Sequence, residues 1–293
     1  MKRKLILGYF YIIASAVIFG CNPLLVKYIQ NEGVNSISLV LLRNMLSIPV
    51  LGVLALRQFG TLRVPVKAIP SMGATGMMGC CLTPILLFSS YSYIASGTAT
   101  VFHFIYPAVV VIAGVLIFRE PISRGNLISV IICVVGICLF YTPGEPLNWK
   151  GSALALISGV TYAIYILQLS RFPYPEINGF LFSFYVSIIS CIIMLMVCLF
   201  SGMLALPVSF AGWLYCFGFS LIINVCAVVM FQQGTFYIGG QKASILSTLE
   251  PITSLFVGAL AFHEVIGYRT AVGSVLVILA SILIALTDMK HRK

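Results

Sequence analysis

The chain has 293 residues, of which 60% are hydrophobic and 8% are charged, with 17 basic and 7 acidic side chains and a formal net charge of +10. A water-soluble domain has about a quarter of its residues charged, and disordered or nucleic-acid-binding chains contain far fewer apolar residues. The composition and a mean hydropathy of +1.09 exclude these three classes and favour a membrane protein without a nucleic-acid partner.

Apolar runs long enough to cross a bilayer fill most of the chain. A helix needs about 20 apolar residues to cross roughly 30 Å of hydrocarbon. The sequence predicts ten such helices, numbered here as spans one to ten, at about 5–25, 36–56, 69–90, 94–118, 125–141, 151–169, 177–200, 211–233, 239–262 and 266–286. The gaps between them are too short for a soluble catalytic domain. We predict an all-α polytopic membrane protein that is not an enzyme.

Basic residues are distributed unequally between the two sides of the predicted bundle. With a cytoplasmic N-terminus, 13 of the 17 Lys and Arg residues lie at inner ends, while Lys27, Lys150 and Arg269 lie at outer ends and Arg43 lies within span two. Positively charged loops resist translocation. We therefore expect a multi-pass protein of the inner (plasma) membrane with both termini in the cytoplasm.

The two halves of the chain repeat one another. A shift of 144 residues places Tyr93, Ile94, Ala99, Pro107, Gly114 and Glu120 on Tyr237, Ile238, Ala243, Pro251, Gly258 and Glu264. A shift of 143 places Gly8 on Gly151, so span one pairs with span six. This predicts two five-helix units, 1–145 and 146–293, and because five is odd the second enters the membrane from the opposite side. Inverted repeats can exchange conformations and so open alternately inward and outward.

Placing an ionisable side chain in lipid costs free energy, so ionisable residues within spans usually face a cavity or a partner. Glu250 in span nine borders a stripe of small and polar residues that includes Ser247, and span four carries a similar stripe with His103. We expect both stripes to face a central cavity. Glu250 is predicted to pair with a substrate ammonium or to carry a proton, and His103 to contact substrate or proton. The alternative for both is a hydrogen-bonded side chain that only fixes helix packing.

Four further side chains complete the predicted substrate-binding set. Arg43 would hold an anionic substrate group or close an outer gate, or else it bonds a helix-end carbonyl. Asn224 and Gln232 in span eight supply hydrogen bonds to the cavity or, equally, polar contacts between helices. Tyr106 lies deep enough in span four to reach substrate.

Two prolines are candidate hinge residues, and two carboxylates are candidate gate residues. Pro107 and Pro251 each remove a backbone donor within a span, which suits a hinge. Glu120 and Glu264 lie at equivalent ends of spans four and nine beside basic residues, and we assign them as gates, although solvated loop charges are the simpler account. The nine cysteines have no metal-ligand spacing. A nucleotide-binding loop is also missing from the sequence, so we expect neither a metal nor a cofactor.

The repeated motifs resemble a known family. They are Pro107 with Phe118-Arg119-Glu120 in the first half, and Glu250-Pro251, Phe262-His263-Glu264 and Gly273 in the second. Over residues 5 to 287 this pattern is similar to EamA-type transporters of the drug/metabolite transporter superfamily. The resemblance implies a ten-helix secondary transporter whose central cavity is lined mainly by spans three, four, eight and nine. Tyr106 stands where the second half has Glu250, so the site should not be two-fold symmetric.

These observations predict a secondary active transporter that exports a small metabolite by alternating access around a cavity between the repeats. An amino acid or a related amine-bearing solute is the first choice of substrate, and protons carried by Glu250 are a secondary hypothesis for the coupling ion. The alternative is a facilitative channel or a flippase for lipids or lipid-linked sugars with the same fold. A closed central cavity favours the transporter, and a lipid-facing groove favours the flippase. The sequence leaves open whether the protein is a monomer or a homodimer.

Overall fold

The computed structural model describes residues 2–94, 96–119, 124–139, 148–177, 179–262, 267–269, 271–273, 275–276, 278–280 and 283, and this part of the chain contains helices but no strand. Six of the described helices are long and apolar enough to cross a bilayer: Arg3–Asn31, Ser36–Phe59, Val66–Ser90, Trp149–Ser170, Gly179–Ser201 and Phe210–Ile238. They correspond to predicted spans one, two, three, six, seven and eight.

The described residues of the first half form eight α-helices. Their bounds are α1 Lys2–Gly20 and α2 Asn22–Asn31 in span one, α3 Ser36–Phe59 in span two, α4 Ile69–Gly76 and α5 Thr83–Ser90 in span three, α6 Ser96–His103 and α7 Tyr106–Leu116 in span four, and α8 Arg124–Cys138 in span five. A 3₁₀ turn, Val66–Ala68, precedes α4, and a π-helical segment, Met77–Leu82, joins α4 to α5.

The described part of the second half follows the same plan. Its helices are α9 Trp149–Ser170 in span six, α10 Gly179–Ser201 in span seven, α11 Phe210–Phe219 and α12 Val229–Ile238 in span eight, and α13 Gly240–Leu246 and α14 Leu249–Phe262 in span nine. The π-helical segment Ser220–Val228 joins α11 to α12. Span ten is represented by a shorter apolar helix, Ala271–Ala280.

Spans four and nine are broken, which corrects the prediction that each is one continuous helix. Pro107 and Pro251 lie near the start of the second piece in each span. Because proline has no N–H, the turn before it loses an i→i−4 hydrogen bond. In span nine the backbone forms a tighter, i→i−3 turn, in which the N–H of Glu250 donates to the carbonyl of Ser247 at 3.0 Å. Among the described helices, neither piece alone is long enough to cross the membrane.

The irregularities recur at the spacing of the sequence repeat. A shift of 144 residues carries the π segment Met77–Leu82 onto residues 221–226, which lie within the π segment Ser220–Val228. The same shift carries the end of α6, at His103, onto residue 247, directly after the end of α13. Each half therefore contains a π-helical span followed by a broken one.

One close helix contact occurs twice, with the halves exchanged. A Cβ atom at Gly8 would lie 2.5 Å from Cγ2 of Ile238, and a Cβ atom at Gly151 would lie 3.0 Å from Cγ2 of Ile94. The sequence repeat aligns Gly8 with Gly151 and Ile94 with Ile238. Span one thus packs on the end of α12 as span six packs on the turn that follows α5.

Helices α3 and α10 pack along their lengths and are joined at both ends. At one end, Asn35 Nδ2 donates to the carbonyl of Met203 at 2.7 Å. At the other end, the hydroxyl of Tyr185 donates to the carbonyl of Leu62, also at 2.7 Å. This pair links the two halves and holds the helix that carries Arg43.

Gly159 on α9 lets span six touch the break in span four. A Cβ atom there would lie 2.4 Å from the carbonyl oxygen of His103, a backbone atom that cannot rotate away. We expect Gly159→Ala to destabilise the protein by about 1–3 kcal/mol, as overpacking does elsewhere. Gly218 on α11 is the matched control, because nothing lies within 4 Å of a Cβ atom at that position. Thermal unfolding in detergent tests this, and equal melting temperatures for the two variants would contradict it.

Candidate functional site

A cavity lies where the broken and π-helical spans meet. The cavity is partly open, and the empty space within it and its mouth together amounts to about 550 Å³. Its polar lining comprises Asn22, Arg43, Thr83, His103 and Glu250, and its aromatic lining comprises Phe19, Phe88, Tyr162, Tyr165 and Phe231. The expected spans three, four, eight and nine all contribute. Spans one, two and six also line the cavity, so its wall is broader than the resemblance implied.

Arg43 brings a positive charge to the cavity wall. It lies on α3, is 4% exposed, and donates from Nη2 to the carbonyl of Cys80 at 3.2 Å. Its Nε is buried without a hydrogen-bond partner. Among the described residues, no carboxylate lies within 4.0 Å of the guanidinium. A buried cation without a counter-ion is costly, so this arrangement favours the arrival of an anionic group.

Glu250 brings a negative charge to the same cavity. It lies in the first turn of α14, where the positive end of the helix dipole favours a carboxylate. In the described part of the chain, no basic side chain approaches this carboxylate within 4.0 Å. Its electrostatic neighbours are the hydroxyls of Tyr91, Tyr106 and Tyr162. Arg43 and Glu250 therefore share a cavity without pairing to each other.

His103 ends α6 at the break in span four and also lines the cavity. Its Nδ1 lies 2.8 Å from Oγ of Ser158, and that hydroxyl donates its own proton to the carbonyl of Ala155 at 2.6 Å. Because the hydroxyl of Ser158 has one proton, the tautomer that keeps both hydrogen bonds has Nδ1 as the donor toward Ser158. In the neutral ring, Nε2 is then left as an acceptor. His103 is therefore fixed by a hydrogen bond and also lines the cavity, and its contact with substrate or proton stays a prediction.

Tyr162 is the centre of an aromatic wall that the sequence did not reveal. Its ring centroid lies 4.8 Å from Tyr106, 5.4 Å from His103, 5.5 Å from Tyr165 and 5.7 Å from Phe231. Such rings offer a flat apolar surface with hydroxyls at its edge. Aromatic residues at helical spacing look like ordinary core residues, so nothing in span six set Tyr162 apart.

Four predicted binding residues lie behind the lining rather than on it. Tyr106, Ser247, Gln232 and Asn224 are all nearly inaccessible, with 0%, 3%, 0% and 2% exposure. The hydroxyl of Tyr106 faces Ser247 without a well-formed hydrogen bond. Asn224 donates to the backbone carbonyl of Arg43 at 3.0 Å. In this conformation these side chains support the wall and do not reach the cavity.

The structure describes the two predicted hinge residues but not the two predicted gate residues. Pro107 and Pro251 lie directly beside the two breaks, next to the predicted site residues Tyr106 and Glu250. Glu120 and Glu264 lie outside the described residues. Within the described ranges, no group of three or more His, Cys, Asp or Glu side chains is placed to hold a metal ion.

The sequence profile of the EamA-like transporter family matches the chain twice, at residues 6–142 and 149–286. The chain belongs to the EamA-like transporter family. As an EamA transporter it is a multi-pass membrane protein with repeated halves, it is not an enzyme, and its substrate is a small molecule.

Related proteins share this assignment but name no substrate. An uncharacterized transporter from Archaeoglobus fulgidus is 25% identical over 280 residues, covering 94% of both chains. The uncharacterized transporter YcbK from Bacillus subtilis is 23% identical over 310 aligned positions, covering 99% of this chain and 95% of its own. A solved crystal structure that is 14% identical superimposes over the whole of both chains with a TM-score of 0.76. At that identity the likeness concerns the fold alone.

Proposed function

We propose that this EamA transporter carries an amino acid or a closely related zwitterionic solute. The observation that carries the proposal is the presence of two unpaired opposite charges in one cavity, the guanidinium of Arg43 and the carboxylate of Glu250. A substrate carboxylate would bind the first and a substrate ammonium the second, which neutralises both buried charges at once. A sugar or a nucleotide would leave at least one of them without a partner.

The polar residues around these charges suit the ends of such a substrate. Nε2 of His103 is free to accept a hydrogen bond from the ammonium near Glu250. Tyr106, Ser247, Gln232 and Asn224 form the layer behind the wall and would act on substrate through it or after a conformational change. Glu120 and Glu264 remain proposed gates.

We propose secondary active transport by alternating access between two inverted five-helix repeats, 1–145 and 146–293, with ten membrane spans in total. The recurrence of the π segments and of the helix breaks at the repeat spacing supports this. So does the exchanged contact of Gly8 and Gly151. Pro107 and Pro251 would act as hinges because each lies beside a helix break.

The proposed direction of transport is export, which rests on the family resemblance. The proposed orientation, with both termini in the cytoplasm, rests on the distribution of Lys and Arg. Residues of both halves, such as Phe19 and Glu250, line the cavity, as expected for a transporter whose site lies between two repeats. A flippase of the same fold stays the alternative, and a groove that opens to the lipid would favour it.

Binding of a matched ligand panel tests the substrate class. We expect the melting temperature of the purified protein to rise with an amino acid, because a ligand that binds only the folded state stabilises it. The corresponding amine without a carboxylate, and the corresponding acid without an amine, should each give a smaller rise. A rise with sugars or nucleotides and none with any amino acid would overturn the proposal.

A further inference from the structure

A buried polar cluster surrounds the backbone of Arg43 on the side away from the cavity. Asn224 Nδ2 donates to the carbonyl oxygen of Arg43 at 3.0 Å, and Ser220 Oγ donates to the same oxygen at 2.7 Å. Both donors come from the π segment Ser220–Val228. The carbonyl oxygen of Arg43 is therefore contacted by two side-chain donors from one segment.

The other π segment holds the same region of α3 from span three. The carbonyl of Cys80, within Met77–Leu82, accepts from Arg43 Nη2 at 3.2 Å and from Asn44 Nδ2 at 3.4 Å. A π-helical turn shifts the backbone hydrogen-bond pattern and is often found at functional sites. One π segment therefore binds the side chain of Arg43, and the other binds its backbone.

The contacts of Asn224 are directed almost entirely at α3. Its Nδ2 also lies 3.2 Å from Oδ1 of Asn44 and 3.4 Å from Oγ of Ser47, both on that helix. Its Oδ1 is buried without a hydrogen-bond partner. Asn224 is 2% exposed and does not belong to the cavity lining. A buried amide in this position orients α3 and does not contact the substrate.

We infer that Asn224 is a positioning residue for Arg43, which fixes the turn of α3 so that the guanidinium faces the cavity between the two π segments. The inference rests on the proposed function, because it takes Arg43 to be the group that binds the substrate carboxylate. Without the amide of Asn224, this turn of α3 is no longer held in place. The guanidinium of Arg43 is then less well oriented, and its affinity for the substrate carboxylate falls.

The test compares an amino acid with the corresponding amine that lacks the carboxylate, in proteoliposomes containing Asn224→Leu. KM for the amino acid should rise about tenfold, the effect of losing one or two buried hydrogen bonds, while KM for the amine stays unchanged. Ser220→Ala removes the other donor to the same carbonyl with little change in volume. It should also raise the ratio of KM for the amino acid to KM for the amine. A purely structural role would raise both KM values together or lower the amount of folded protein.

Ser15→Ala is the matched control. Ser15 Oγ is buried and donates to the carbonyl of Ala227, in the same π segment, at 2.9 Å, but it does not contact Arg43. For Ser15→Ala, the ratio of KM for the amino acid to KM for the amine should equal that of the wild type. If Arg43→Gln loses the discrimination between the amino acid and the amine while Asn224→Leu and Ser220→Ala keep it, the inference is wrong and the proposed function stands. If Arg43→Gln itself keeps the discrimination, both are wrong.

Discussion

Replacing Arg43 with glutamine is expected to lower the affinity for an amino acid about 100-fold while leaving the corresponding amine unaffected. Truncating one partner of a buried charge pair costs about 2–5 kcal/mol, and the guanidinium has no other anionic partner among the described residues. Glutamine keeps a polar donor at this position without the buried charge, so the fold should persist. Equilibrium binding and flux in proteoliposomes measure the effect.

Arg57→Gln provides the control for that experiment. Arg57 lies on the same helix, α3, but is exposed near its end. Its replacement should change neither the affinity for the amino acid nor that for the amine. Equal losses for Arg43→Gln and Arg57→Gln would point to a general effect of positive charge on flux rather than a binding site.

The variant Glu250→Gln is expected to reduce amino acid flux by about 10- to 100-fold, since the substrate ammonium loses its charged partner in a site of low dielectric constant. The acid that lacks an amine should be affected much less. If Glu250 also carries the coupling proton, wild-type flux will respond to an imposed pH gradient and flux of the variant will not. Flux of Glu250→Gln equal to that of the wild type would remove both roles.

Glu176→Gln is a suitable control for the carboxylate. Glu176 lies in the connection between α9 and α10 and is exposed. Its replacement should leave both the flux and its response to pH unchanged. The two controls together separate local chemistry in the cavity from changes in the net charge of the protein.

Ionisable residues within apolar spans were the most informative signal in the sequence. Arg43, His103 and Glu250 were selected because a charge in lipid requires a reason, and the structure brings all three to one cavity. Their roles in binding stay predictions. The neutral polar residues were harder to interpret, because Asn224 or Ser247 can satisfy its hydrogen bonds on a neighbouring backbone as well as on a ligand.

The helix irregularities were only partly predictable. Pro107 and Pro251 indicated where spans four and nine weaken, yet composition alone did not show that the helices would end there. The π segment Met77–Leu82 contains Gly79 and is followed by Pro84, which leaves the carbonyl of Cys80 without an α-helical N–H donor. Glycine and proline also occur in regular membrane helices, so the apolar length of span three predicted the span but not its π-helical interior.

The fold repeats, but the chemistry of the site does not. A shift of 144 residues carries Arg43 onto Ser187 and Tyr106 onto Glu250. The positive charge thus comes from the first half and the negative charge from the second. A polar, asymmetric substrate such as a zwitterion matches this division better than a symmetric one would.

The hydrogen bonds at the two ends of α3 and α10 have a mechanical consequence. Because Asn35 binds Met203 at one end and Tyr185 binds Leu62 at the other, these two helices, one from each half, are tied together at both ends. In the alternating access proposed above, the halves would then rotate about this helix pair without separating along it. Such a rotation would narrow one mouth of the cavity while it widens the opposite one, so the proposed transport cycle would contain no stage with a continuous leak across the bilayer.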